Sequence, residues 1–288
     1  MVSGLLRTMR PHQWVKNLFV VAPLVFAQEL LNLHAALRAL AGFAVFSIVA
    51  SAVYVLNDLL DGEADRHHPT KRSRPIASGA VSVPAARVLL TSLLVLGAIG
   101  GGLLGWAFLG TVAAYFAKDV GYSFGLKKIA YLDVLFIALG FELRVIAGAF
   151  AAEVPASVYL LVVTFLFATF LGLGKRLHEL GHAGEGKTRS SLRAYDPRVV
   201  TAAMAVTGGL TLVTYAAYTV DPHTIAALGT PNLWATGIFA VLGFGRFIFL
   251  VRRKDDAESP TDAMLGDWPF LLILVGWAVS IVVLLYVG

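Results

Sequence analysis

The sequence predicts an all-α integral membrane protein: a single bundle of about nine transmembrane helices, with a cytoplasmic N-terminus and the C-terminus on the opposite side. Three observations lead there. Apolar residues make up 58% of the 288 and charged residues only 14%, which is too lopsided for a water-soluble domain. The apolar residues are gathered into long runs, close to the ~20 residues needed to cross a hydrocarbon core about 30 Å thick. The connections between runs alternate between Lys/Arg-rich and nearly bare of cations, which is the positive-inside pattern.

In chain order, residues 7–17 mix cations with Trp14 and suit an amphipathic segment lying in the interface. Apolar runs follow at roughly 18–31, 35–60, 84–101, 103–121, 129–151, 156–174, 198–220, 231–251 and 268–287. The first, preceded by Arg7, Arg10 and Lys16, carries no small-residue cleavage site and reads as a retained span, not a signal peptide. Only Gly100-Gly101-Gly102 and Gly105 separate the third run from the fourth. The basic connections hold Arg66, Lys71, Arg72 and Arg74, then Lys127 and Lys128, then Lys175 through Arg198, then Arg252, Arg253 and Lys254. The opposite connections offer Arg38 and little else. The whole chain, 1–288, reads as one domain whose loops 62–83, 122–128 and 175–197 form a polar cap on the cytoplasmic face. No cysteine is present, so disulfides and thiolate metal sites are excluded. The net charge of +5 sits beside the spans, where it meets anionic lipid and not nucleic acid.

The chemistry concentrates at the end of the second run. Asp58, Asp61 and Asp65 are spaced i, i+3 and i+7, which on a continuous helix puts three carboxylates on one face, with Asn57 at its edge. Such a stack repels itself unless a cation neutralises it, and acids at the mouth of a membrane helix are usually functional. Magnesium is the natural partner, since it is commonly held by a few carboxylates together with substrate phosphates. Lys71 and Arg74 follow closely enough to grip remaining phosphate oxygens. Deeper in the membrane, Glu142 and Arg144 point about 200° apart on a helix, so each needs its own partner. The histidines lack the spacing of a zinc site. Residues 181–187 are small and polar, and serve equally well as a closing loop or a plain connector.

Asn57-Asp58-x-x-Asp61-x-x-x-Asp65, followed by a basic loop and Arg74-Pro75-Ile76-Ala77-Ser78-Gly79, resembles the first aspartate-rich motif of the UbiA superfamily of intramembrane prenyltransferases. The opening segment Arg10-Pro11-x-x-Trp14-x-Lys16-Asn17 is similar too, with Lys16 and Asn17 as candidate substrate contacts. Tyr122, Lys127 and Lys128 look like the superfamily's diphosphate-holding element, although the spacing is loose. Where ordinary members carry a second aspartate-rich motif, this chain has instead Lys175-Arg176-x-x-Glu179 and Thr188-Arg189-x-x-Leu192-Arg193-x-Tyr195. That pattern, with Leu132-Asp133-Val134 and the stretch through Arg144, resembles the decaprenyl-phosphate phosphoribosyltransferase branch.

The resemblance implies a Mg2+-dependent transfer of 5-phosphoribose from 5-phosphoribosyl 1-diphosphate to a long polyprenyl phosphate at the cytoplasmic face of the cell (inner) membrane. On this reading Asp58, Asp61 and Asp65 hold the metal and Asn57 orients a ligand. Lys71, Arg74, Lys127 and Lys128 take the diphosphate, while Lys175, Arg176, Glu179, Arg189, Arg193 and Tyr195 take the phosphoribose, with Arg144 facing a cavity. The sequence leaves a homo-oligomer open. Two other readings compete. A conventional prenyltransferase would move an isoprenyl group from its diphosphate, but needs a second carboxylate pair that is missing here. A transporter would use the intramembrane charges for coupling, but shows repeated halves that this chain lacks.

Overall fold

In the computed structural model, residues 2–68, 70–126, 129–181, 192, 194–253 and 260–287 are described. The chain groups into two compact units: residues 1–124 with 143–156, and residues 125–142 with 157–288. Among the described residues, seven helices are long and apolar enough to cross a membrane.

The first unit is built on α3 (Leu33–Leu60), of whose most apolar window 61% is buried. It starts cleanly because the Asn32 side chain accepts from the backbone N–H groups of His34 and Ala35, satisfying two orphan donors. Phe46, Val49 and Val53 meet Phe108, Val112 and Tyr115 of α6 (Trp106–Phe124) and Ala147 and Ala151 of α7 (Leu132–Ala152). Lipid tails are as apolar as the side chains, so dispersion and close approach must hold such helices together, and small residues permit it. At Gly97 of α5 (Val83–Leu104), a Cβ would fall 2.5 Å from Val49. Ahead of α3 lie α1 (Val2–Met9), a 3₁₀ helix over Pro11–Val20 and the short α2 (Ala22–Phe26). After it comes α4 (Gly62–Arg66).

The second unit contains α8 (Val158–Gly181), α9 (Pro197–Val220), α10 (Pro222–Leu228), α11 (Gly237–Arg252), α12 (Pro260–Gly266) and α13 (Trp268–Tyr286). Phe170, Leu173, Met204, Phe247 and Phe270 form its core. Asp196, Asp221 and Asp267 cap α9, α10 and α13 by accepting backbone N–H groups.

Two of the nine expected spans have no counterpart among those seven helices. The run at 18–31 makes no spanning helix: it divides between the 3₁₀ turns and the five-residue α2, and Gln28 turns the chain with φ 59. The run at 103–121 does form the 19-residue α6, but Lys118 and Asp119 lie inside it and lower its hydropathy; they pair with each other at 2.8 Å.

Candidate active site

The last turn of α3 presents Asn57 and Asp58, and the helix then breaks at Asp61 (φ −93, ψ 0) before α4 resumes. The i→i−4 bonding survives the break, with Asp61 N–H on the Asn57 carbonyl at 2.9 Å and Asp65 N–H on the Asp61 carbonyl at 2.8 Å. Asp58 and Asp65 are consequently both buried, whereas Asp61 is half-buried. The motif that follows them is a tight turn with a purpose for each residue. Ile76 anchors in the core beside Val55 and Val81. The Ser78 N–H closes on the Arg74 carbonyl at 2.9 Å, and Gly79 takes φ +79, which a side chain would strain. This turn aims Arg74 back at the acids. Its Nη1 lies 2.7 Å from Asp65 Oδ2 and 3.3 Å from Asp58 Oδ1.

Arg10 completes the cluster with its Nη2 2.6 Å from Asp58 Oδ1. Asp58 Oδ2 is buried and has no hydrogen-bond partner among the described residues. Ser123, at the end of α6, bonds the Asn57 side chain. Of the three expected carboxylates, Asp58 and Asp65 are buried and share Arg74, and Asp61 sits half-buried at the helix break. Among the described residues no three His, Asp or Glu side chains gather as a metal cage. A cation still fits the donor chemistry, because the bare Asp58 oxygen is a buried lone-pair site that costs free energy when nothing occupies it.

The other expected contacts divide into separate surroundings. Asn17 is buried and locked, its Nδ2 on Ser47 Oγ at 2.9 Å and its Oδ1 receiving Arg144 Nε at 2.8 Å. Arg144 also reaches the Tyr115 hydroxyl at 3.1 Å and lies over the Phe46 and Tyr115 rings. Lys16 bonds Gln13 on the N-terminal segment, and Lys71 sits half-buried at the start of a 3₁₀ turn. Tyr122 is half-buried in the last turn of α6. Lys127, Lys128, Arg189, Arg193 and loop positions 182–187 lie outside the described residues.

In the second unit, Arg176 pairs with Asp133 (Nε–Oδ2 2.8 Å) and with Glu179. Tyr195 donates its hydroxyl to Asp133 and accepts the Tyr131 N–H at 2.8 Å. Burial and the Asp133 carboxylate push the Tyr195 phenol well above its ordinary pKa, so it stays a donor. Lys175 is half-buried beside this network. Glu142 is buried and its Oε1 has no partner among the described residues.

Sequence reasoning passed over the pairing of Arg10 with Asp58, the place of Ser123 and the role of Asp133 as the hub of the second network. A signal for the first did exist. Ser47, Ser51, Tyr54 and Asp58 recur at steps of four, three and four, which marks a polar stripe on α3 awaiting a polar partner.

Residues 18–266 match the family model of the UbiA prenyltransferase family. Over its full length (100%) the chain is 32% identical to the decaprenyl-phosphate phosphoribosyltransferase of Corynebacterium glutamicum, of which 88% is covered. It is also 32% identical to the protein of that name from Mycolicibacterium smegmatis, over 99% of this chain and 93% of that one. A solved UbiA homolog from Archaeoglobus fulgidus, bound to GPP and Mg2+, shares the fold with a TM-score of 0.69 at 16% identity, covering 97% of this chain and 99% of that one. An acid-rich helix end, a basic turn folded back on it and a set of apolar spans are thus joined to a match over most of the sequence, and the chain belongs to the UbiA prenyltransferase family, a multi-pass membrane transferase.

Proposed function

We propose that this protein transfers 5-phosphoribose from 5-phosphoribosyl 1-diphosphate to a long polyprenyl phosphate, releasing diphosphate, with the N-terminus and the polar loops facing the cytoplasm. The observation that carries the reading is the acid–arginine cluster around Asp58, whose Oδ2 is buried and unclaimed among the described residues. The two relatives named for this reaction support it, as does the lack of a second DxxxD motif in the loop after α8. In the transfer, a bond forms between the acceptor phosphate oxygen and the anomeric carbon, and the bond from that carbon to the diphosphate breaks. Asp58, Asp61 and Asp65 would hold Mg2+, which when bound supplies Lewis-acid stabilisation of charge growing on the leaving diphosphate. The Archaeoglobus structure, with its bound GPP and Mg2+, is consistent with divalent metal use on this fold.

The chain's own residues supply the rest. Arg74 neutralises two buried acids and can share its fork with a phosphate oxygen. Asn57, steadied by Ser123, orients a ligand of the cluster. Lys71, Lys127 and Lys128 are assigned to the diphosphate, and Lys175, Arg189 and Arg193 to the phosphoribose. The acceptor oxygen belongs to an ionised phosphate already, so no strong base is needed, and positioning with charge neutralisation dominates. The test uses purified protein in detergent with labelled phosphoribosyl diphosphate and a panel of polyprenyl phosphates. Label is expected in the lipid product. Consumption of an isoprenyl diphosphate without phosphoribosyl transfer would instead establish the conventional prenyltransferase reaction.

A further inference from the structure

Arg10 leads the N-terminal segment, and that segment is keyed to the polar stripe of α3. Asn17 Nδ2 donates to Ser47 Oγ at 2.9 Å and Trp14 Nε1 to Ser51 Oγ at 3.0 Å. Arg10 lies over the Tyr54 ring, 5.3 Å from its centroid, and places its guanidinium on Asp58. The far end of the segment is held as closely: a Cβ at Gly148 would fall 1.9 Å from the Val20 carbonyl oxygen. Ahead of these anchors the Arg10 backbone is left-handed, φ 53 and ψ 61, a strained conformation for a non-glycine residue and one that clusters at functional sites.

The pairing this strain supports is one-sided. Asp58 Oδ1 receives both Arg10 and Arg74, while the buried Oδ2 receives no hydrogen bond from the described residues. Compare Arg246 in the second unit, which grips Asp267 as a fork with Nε on Oδ1 at 3.0 Å and Nη2 on Oδ2 at 2.7 Å. That fork serves both carboxylate oxygens at once. Arg10 does not, and it stays 25% exposed.

We infer that Arg10 is an exchangeable counter-ion: it holds Asp58 in the cation-free protein and yields it to a divalent cation. Docking of the N-terminal segment and cation binding then draw on the same carboxylate. Arg10 is a positioning residue in this scheme, and the inference rests on the Mg2+ reading of the acid cluster.

Binding of Mn2+, followed by its electron paramagnetic resonance in detergent without donor or acceptor, tests it. Arg10→Gln is expected to bind Mn2+ at least about fivefold more tightly than the wild type, the lower end of ordinary coupling between two ligands. Asp58→Asn is expected to lose the site. Equal or weaker binding by Arg10→Gln overturns this inference alone, and absence of binding from every variant overturns the cation reading with it. A second measurement leaves Arg10 intact. Because the chain has no cysteine, His12→Cys offers a unique spin-label position on the exposed face of the segment. Mg2+ should raise the label's mobility when Asp58 is present and leave it unchanged in Asp58→Asn. Mobility indifferent to Mg2+ in both backgrounds overturns the exchange.

Discussion

Asp58 in the first unit and Asp133 in the second are buried acids facing arginines, with relative exposures of 2% and 0%. Their cations differ. Arg10 and Arg74 keep 25% and 22% of their side-chain surface exposed, whereas Arg176 keeps 1%. Around Asp133 the phenol of Tyr195, the guanidinium of Arg176 and the carboxylate of Glu179 close on one another. Around Asp58 one carboxylate oxygen is shared by two cations and the other is left bare. The arrangement around Asp58 can exchange partners with an incoming ion or phosphate. That around Asp133 has the form of a clasp that ties the start of α7 to the end of α8 and to the residue before the α9 cap. Charge content alone does not separate a reactive cluster from a structural one; the accessibility of its cations does.

The sharpest way to break this contrast is to neutralise each acid in turn. Asp58→Asn is expected to lower transfer by about 10²–10³-fold or more, the range for loss of a preorganised charge-stabilising group, while the protein still folds and inserts. Asp133→Asn takes from buried Arg176 its one buried carboxylate partner and leaves it Glu179, and breaking a buried pair costs up to about 3–5 kcal/mol. Its signature is a lowered unfolding temperature in detergent, with activity lost only in proportion to the unfolded fraction. Interchanged phenotypes would overturn the assignment of roles.

Cation removal sharpens the same contrast. Chelation is expected to stop transfer and Mg2+ to restore it. A cation present at a hundred times its Kd also stabilises the fold by about 2.7 kcal/mol. That increment, read as a rise in unfolding temperature on adding Mg2+, should vanish in Asp58→Asn and persist in Asp133→Asn. Arg74→Ala is a milder probe. It leaves buried Asp65 without its arginine and Asp58 with Arg10 alone, so some stability is lost as well. The loss of a charged hydrogen bond to donor phosphate, about 1.5–3 kcal/mol, should appear as a rise in the donor KM of roughly tenfold or more.

Much of this was legible in the chain. Helical spacing located Asp58 and Asp65, and the Arg74-to-Gly79 pattern located a basic turn. Hydropathy located the seven long helices within a few residues. The limits have physical causes. Hydropathy weighs composition and not backbone continuity, so the 18–31 run counted as a span although Pro23 and the turn at Gln28 divide it. Spacing assumes an unbroken helix, so it could not foresee that α3 ends at Asp61 and α4 begins after it. Arg176 and Tyr195 looked like substrate contacts because the sequence shows a cation and a phenol near the membrane. It does not show that Asp133, some 40 to 60 residues earlier, folds back to occupy both. Arg10 appears in its motif without a partner for the same reason, since Asp58 is 48 residues away.

The smallest expected effect isolates Tyr195. Tyr195→Phe removes the hydroxyl that donates to Asp133 and accepts the Tyr131 N–H, leaving the buried Asp133 carboxylate short of a donor and the Tyr131 N–H short of an acceptor. The cost is about 1–3 kcal/mol in stability. If the second cluster is a clasp, turnover per folded molecule should be unchanged. The pH dependence carries the sign. Burial and Asp133 raise the folded phenol's pKa above its unfolded value of about 10, so the folded state holds its proton longer. The contribution is therefore whole below about pH 10 and is lost as pH rises from there through the folded pKa. The difference in unfolding temperature between wild type and Tyr195→Phe should hold steady through neutral pH and shrink in strong alkali. Comparing the two proteins cancels the other tyrosines and lysines, which titrate in both. A gap that grows with pH would mean that the hydroxyl is already ionised in the fold, and with that the clasp around Asp133 would have to be redrawn as a charged, ligand-ready site like its counterpart at Asp58.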